Sequence, residues 1–240
     1  LYTPFNIGRY WAWYEEFPKN YSDSLERKYL KTDYRIASGM DYTIFDDNVG
    51  YIRCKSFLNN TGAGNLDNIL LYMQPCRGLI IDIRNNGGGN VNNAEELAAR
   101  FTNEELLVGY IQHKTGTRHD DFSSLQPQHL KPGKGIRWQK PVIILTNRSV
   151  YSAANEFVKY MKCCPKAKIV GDKTGGGAGL PFSSELPNGW SIRFSACPMY
   201  DKNKQMTEFG IDPDYKVDIS SSDFSRGRDT IIEFARQLLH

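Results

Sequence analysis

Apolar residues along this chain recur with two periods, and the periods take turns. Residues 49–54, 78–83 (GLIIDI), 106–113, 142–145 (VIIL) and 167–170 are short apolar runs rich in β-branched side chains and bounded by Gly, Pro or Asn. Such runs read as strands, the most apolar of them buried on both faces. Between them the spacing turns helical. Leu66, Ile69, Leu70 and Met73 share one face of a helix over 62–73, and a second helix spans 94–101. Ala153, Phe157, Tyr160 and Met161 mark a third, with Glu156 in its first turn and Lys159 and Lys162 near its end, the order that suits the helix dipole. Pro165 stops it. An amphipathic segment over 228–239 closes the chain.

Two hairpins frame this core. One joins 41–45 to 49–54 around Asp46-Asp47-Asn48, and the other joins 184–186 to 190–195 around Pro187-Asn188-Gly189. Residues 114–135 read as a long polar loop, 206–213 as another, and 215–219 as a last short strand. Strands and helices alternating through the middle predict an α/β fold: a mixed sheet flanked by helices, with hairpins at both ends. Residues 1–40 are polar and aromatic, with a short helix near 22–30, and read as an N-terminal cap on a domain over 41–240.

Composition narrows the partners. Thirty basic against 27 acidic side chains leave a formal charge of +3, which does not suggest a nucleic-acid partner. No apolar run approaches the ~18 residues of a transmembrane helix. A chain that starts at Leu1 with no leader pattern is expected to be a mature or trimmed form. The five cysteines, Cys54, Cys76, Cys163, Cys164 and Cys197, show no metal-ligand spacing. Free thiols are expected, with one bridge between distant cysteines as the alternative. No metal and no organic cofactor is implied.

Two stretches carry chemistry. Three glycines, Gly87–Gly89, follow the strand at 78–83 and precede a helix, which suggests close approach of backbone to a ligand. A phosphate loop is the rival reading, but neither GxGxxG nor GxxxxGK[ST] is met. Ser152 stands where the strand at 142–145 gives way to a helix. It is either an N-cap or a nucleophile raised on a sharp turn beside N–H groups able to hold an oxyanion.

The rest of the chain favours the nucleophile. LIIDIRNNGGG (79–89), VIILTNRSVYSAANEF (142–157), IVGDKTGGGAG (169–179) and FGIDPD (209–214), with YIRCKSF (51–57) ahead of them, resemble in order the motifs of the C-terminal processing peptidases, the S41 serine peptidases. The resemblance implies a serine endopeptidase acting on peptide or protein substrates, on a crotonase-like (ClpP/crotonase) core. It also implies a secreted, periplasmic or cell-envelope setting and, commonly, a peptide-binding PDZ domain, for which residues 1–40 are too short. Oligomeric state stays open.

Carried over, Ser152 matches the nucleophile, and the amides of Ala153 and Gly88 match the oxyanion hole. Glu208 matches the glutamate that orients the base or its water in tricorn-type members. The general base does not carry over. The lysine position of the third motif is Gly177, and the histidine position of the opening strand is Arg53, which cannot accept a proton. Lys173 and His119, the latter beside Asp120 and Asp121, are the candidates. Ser152 to Glu156 is one residue longer than the family spacing, so Ser149 is the alternative nucleophile. Two other functions stay open: an inactive relative that binds peptides without cutting them, and a crotonase-like acyl-CoA enzyme.

Overall fold

The computed structural model describes residues 17–240. A seven-stranded mixed sheet runs through it. Strands β1 (Arg35–Ala37), β2 (Met40–Ile44) and β3 (Val49–Cys54) pair antiparallel. Then β4 (Gly78–Asp82), β7 (Val142–Thr146), β8 (Ala167–Gly171) and β12 (Tyr215–Lys216) continue parallel, in the order β1-β2-β3-β4-β7-β8-β12. Residues in the central strands alternate strictly between two cores. Ile52, Leu79, Ile81, Val142, Ile144 and Ile169 face one side, packed with Leu66, Ile69 and Met73 of helix α2 (Ala63–Met73), Leu97 of α3 (Val91–Ala98) and Phe157 of α4 (Ala153–Met161). Tyr51, Ile80, Ile143, Leu145 and Val170 face the other, against Leu30 of α1 (Asp23–Leu30) and Ile231, Ile232 and Ala235 of the closing helix (Thr230–Leu238). Both faces are covered, which is why these runs are apolar throughout rather than alternating.

A second, three-stranded sheet lies apart from the first. It holds β5 (Leu106–Ile111) between β6 (Gln126–Leu130) and β11 (Met199–Tyr200), all antiparallel. The long loop expected over 114–135 therefore contains a strand. QPQHL gives little sign of it, because only Leu130 is buried and Pro127 breaks the pattern. Strand β11 was equally silent, being two residues long. The second hairpin, β9 (Phe182–Glu185) with β10 (Ser191–Phe194), forms a separate two-stranded ribbon. All five cysteines are free: Cys54, Cys76 and Cys164 are buried, and Cys163 and Cys197 half-buried. Among the described residues no helix is long and apolar enough to cross a membrane.

Parallel β4, β7 and β8 bring their C-terminal ends to one edge of the sheet. The loops that follow them, 83–90, 147–152 and 172–179, meet there, the usual place for a site in a parallel sheet.

Candidate active site

The floor of the site is fixed by buried charge. Asp82 ends β4 and is fully buried. Arg84, equally buried, grips it through Nε and Nη2 at 2.9 and 2.5 Å, and reaches Asp229 at 2.8 Å and the Asn20 carbonyl at 3.1 Å. Tyr51 donates its hydroxyl to Asp82 at 2.9 Å. Burial alone would raise the Asp82 carboxyl, but the Arg84 and Arg53 guanidinium groups outweigh it and hold the group below its ordinary value. Arg53 belongs to this cluster. Its guanidinium pairs with Glu26 and donates to the Asp82 carbonyl at 3.1 Å. The position matching the family's histidine thus serves the floor.

Above the floor the glycine loop turns sharply. Asn85 has φ 61°, and the Asn147 side chain accepts its N–H at 2.9 Å. Asn86, wholly buried, ties three segments together. Its Nδ2 donates to the Cys54 carbonyl at 3.0 Å, its Oδ1 accepts the Gly88 N–H at 2.9 Å, and its carbonyl accepts the Tyr151 N–H at 3.0 Å. Gly88 has φ 102° and lies against the serine turn. A Cβ there would stand 2.7 Å from the Tyr151 carbonyl, 2.8 Å from Ser152 Cβ and 2.9 Å from Ala153 N. No other residue fits.

Ser152 is held at φ 58°, ψ −126°, left-handed backbone that a non-glycine residue adopts at a cost of roughly 1–3 kcal/mol. It stands at the N-cap of α4, yet its side chain makes no capping hydrogen bond. The capping role that would explain an ordinary serine is not exercised. Its N–H donates to the Gly176 carbonyl at 2.8 Å, and its carbonyl accepts from Glu156 at 3.1 Å. The Ala153 N–H opens the first turn of α4, where no intrahelical acceptor exists. The Gly88 N–H is already engaged by Asn86 Oδ1.

The third loop closes the site by main-chain contacts. Gly176 and Gly177 both have φ 77°, and the Gly177 N–H donates to the Glu208 carbonyl at 2.9 Å. A Cβ on Gly176 would collide with that same carbonyl. A side chain on Gly177 would enter the ring of Tyr151, the residue just before the candidate nucleophile. A lysine at 177 has no room here. Glu208 is half-buried; its Oε1 accepts the Ser195 hydroxyl at 3.2 Å, and burial raises its carboxyl above the ordinary value despite that bond.

Neither candidate base has a described hydrogen bond to Ser152. His119 is exposed in its own loop, its carbonyl accepting from Lys114 at 3.0 Å. Lys173 runs its stem past Gly210 and lines an open cleft with Arg148, Asp212 and Lys216. Ser149, the alternative nucleophile, is exposed beside Asn85 in a cleft walled by Pro18–Ser24, and none of its described contacts reaches Gly88. Sequence reasoning missed three participants: Asn86, Tyr151 and Ser195. A polar residue just before a glycine run is a signal that could have pointed to Asn86. For Ser195 there was none, since the hairpin alone sets its partner 13 residues away.

Residues 48–217 match the family model "Peptidase family S41". The chain belongs to this family. It is 31% identical over 150 residues to a probable CtpA-like serine protease of Staphylococcus epidermidis, covering 62% of this chain and 29% of that one. To the tricorn protease of Thermoplasma acidophilum it is 25% identical over 190 residues, covering 78% of this chain and 16% of the other. The chain therefore spans less than a third of either curated relative. Among solved structures, a putative peptidase from Parabacteroides merdae superposes with a TM-score of 0.92 at 52% identity, over 96% of this chain and 73% of that chain. Gly177 and Arg53, where the resemblance leads one to expect a lysine and a histidine, are both built into this chain's packing.

Proposed function

We propose that this chain is a serine peptidase that hydrolyses peptide bonds in peptide or protein substrates, on a crotonase-like core formed by residues 41–240 with residues 1–40 as a cap. Ser152 attacks the scissile carbonyl, the amides of Ala153 and of the glycine loop at Gly88 hold the oxyanion, and Glu208 serves the proton transfer. A secreted or cell-envelope setting fits the CtpA-like relatives. One observation carries the reading: the glycine loop closes on a left-handed, uncapped serine so tightly that Gly88 admits no side chain beside Ser152 and Ala153 N. That is the arrangement an acyl-transfer nucleophile and its oxyanion donor need.

The test is labelling by a fluorophosphonate. An activated serine reacts, whereas an unactivated hydroxyl, almost none of it alkoxide at neutral pH, does not. Mass spectrometry is expected to find the adduct on the Ser152 peptide, and Ser152→Ala to abolish label and peptide hydrolysis together. A chain that binds unfolded peptides but takes no label would be the non-cutting relative instead.

A further inference from the structure

We propose that Cys197 and His113 form a second reactive centre, a thiol with its own base, which takes low-molecular-weight disulfides and thereby switches the glycine loop that holds Ser152. The thiol chemistry stands by itself; its link to Ser152 rests on the peptidase reading above.

Strand register sets the two residues face to face. Met199 of β11 pairs antiparallel with Ile111 of β5. Carried two residues further along β5 and two back from Met199, that register brings His113 opposite Cys197, on the side where Ile111, Met199 and Cys197 pack together. The Gln112 N–H, donating to the Pro198 carbonyl at 3.0 Å, extends the pairing to this point. The Cys197 sulfur lies 3.5 Å from His113 Nδ1. His113 is pinned on its other side by Ser123, whose hydroxyl accepts its N–H at 3.0 Å and whose N–H donates to its carbonyl at 2.9 Å. Backbone, not side-chain chance, sets the spacing of the pair.

The other thiols have different surroundings. The Cys54 sulfur meets the Ser56 carbonyl and Asn86 Nδ2, and the Cys164 sulfur meets the Tyr160 carbonyl. Burial pushes both thiols up to about 12. Cys76 is buried as well, and half-buried Cys163 has lysines and Asp201 for charged neighbours. Burial also raises the Cys197 thiol, so it rests protonated. The imidazole therefore acts during the attack, as a general base that makes a standing thiolate unnecessary.

With its proton on Nε2, His113 offers Nδ1 as the acceptor. The Cys197 S–H bond breaks, the proton goes to Nδ1, and the electron pair forms a bond to one sulfur of the reagent R–S–S–R. The reagent's S–S bond breaks, and its second sulfur leaves as a thiolate that takes the proton from His113. Cys197 ends as the mixed disulfide, oxidised, and the released RSH is the reduced half of the reagent.

Such an adduct reaches the serine through few steps. Cys197 packs against Ala178, and its N–H donates to the Gly179 carbonyl at 2.9 Å. Both residues belong to the loop whose Gly176 carbonyl accepts the Ser152 N–H at 2.8 Å. A group added to a half-buried sulfur has to leave the cluster of Ile111, Ala178 and Met199, and it disturbs that loop as it goes.

The experiment treats the full chain with oxidised glutathione and follows each cysteine peptide by mass. Cys197 is expected to gain the adduct at least about tenfold faster than Cys163. His113→Ala, at an exposed position, is expected to slow it by about 10²-fold, with added imidazole restoring part of the rate, which a purely structural histidine would not allow. Fluorophosphonate labelling at Ser152 is expected to fall by about 10–10²-fold with the adduct and to return on treatment with dithiothreitol, while Cys197→Ser labels as wild type with or without glutathione. Equal rates at Cys163 and Cys197, or a His113→Ala protein that reacts as wild type, overturn the proposed centre. Full adduct at Cys197 with unchanged labelling overturns the switch. A chain that takes the adduct at Cys197 but shows no Ser152 labelling even untreated overturns the peptidase reading and leaves the thiol centre standing.

Discussion

The two glycine-rich loops that meet at Ser152 are held by opposite means. The loop at 84–89 is fixed from beneath by side chains: Arg84 on Asp82 and Asp229, Asn86 on the Cys54 carbonyl and Gly88, Asn147 on Asn85. The loop at 175–179 is fixed mainly by main chain, through Gly175 N on Val150 O at 2.7 Å, Ser152 N on Gly176 O, Gly177 N on Glu208 O, and Gly179 O receiving Ala196 and Cys197, with the Ser195 hydroxyl on Ala178 O at 3.4 Å added to them. The first loop is thus vulnerable to loss of a polar group and the second to gain of a carbon. Precision at the nucleophile comes from buried charge on one side and from absent side chains on the other.

The largest effect should come from breaking the first. Arg84→Met strands the buried Asp82 and Asp229, and removing one partner of a buried pair costs about 3–5 kcal/mol. Urea unfolding at pH 7 is expected to show a loss of that order. The pH dependence gives the sign. In the native protein the Asp82 value lies below its unfolded one, so its contribution is full above about pH 4 and fades as pH falls through the folded value. In the variant, burial acts with less opposition and the ionised carboxyl becomes the liability. The stability gap between the two proteins should therefore narrow as pH falls toward 4. A gap independent of pH would mean that the arginine contributes packing rather than charge.

Much of this architecture was legible in the sequence, and the reason differs between the loops. The strands at 49–54, 78–83 and 142–145 stood out because two covered faces demand unbroken apolar runs, and the helix after Ser152 because its buried stripe has a clean period. The hairpins were signalled by their turn residues. Strand β6 was hidden because an edge strand with one buried side chain carries almost no pattern. The left-handed state of Ser152 and the seating of Tyr151 on Gly177 were hidden for another reason, since both depend on where a distant loop places its backbone. Family motifs pointed to Ser152, Gly88, Ala153 and Glu208 as candidates. They could not point to Ser195, whose importance lies in what it touches, and they carried Asn86 within a motif without saying which segments it ties together.

A middling effect should come from adding one carbon to the second loop. Gly176→Ala places a Cβ into the Glu208 carbonyl and forces alanine to φ 77°. Left-handed backbone costs roughly 1–2 kcal/mol and overpacking ~1–3 kcal/mol, so a loss of about 2–5 kcal/mol is expected in thermal or urea unfolding. Because the same carbonyl anchors Gly177, labelling at Ser152 should fall along with stability. A variant that loses stability but labels at the wild-type rate would show that this loop does not set the site's geometry.

The smallest effect on stability separates the loops most cleanly. Gly87 lies in the side-chain-held loop and is exposed; a Cβ there meets nothing within 4 Å, and its φ is not among the left-handed ones. Gly87→Ala should shift stability by no more than about 0.5 kcal/mol. Its neighbour Gly88 tolerates no such change, so the contrast reads out contact rather than glycine content. Function need not follow stability here. Gly87 borders the turn that faces Ser152, and a methyl group on that rim narrows the path of an extended peptide while leaving a small reagent untouched. Fluorophosphonate labelling is expected to stay within twofold of wild type. The KM for a peptide substrate is expected to rise about tenfold, the scale of one methyl group in a fitted site, with kcat little changed. If KM stays at its wild-type value, substrate does not pass over the glycine rim, and the first glycine of the run serves the turn alone.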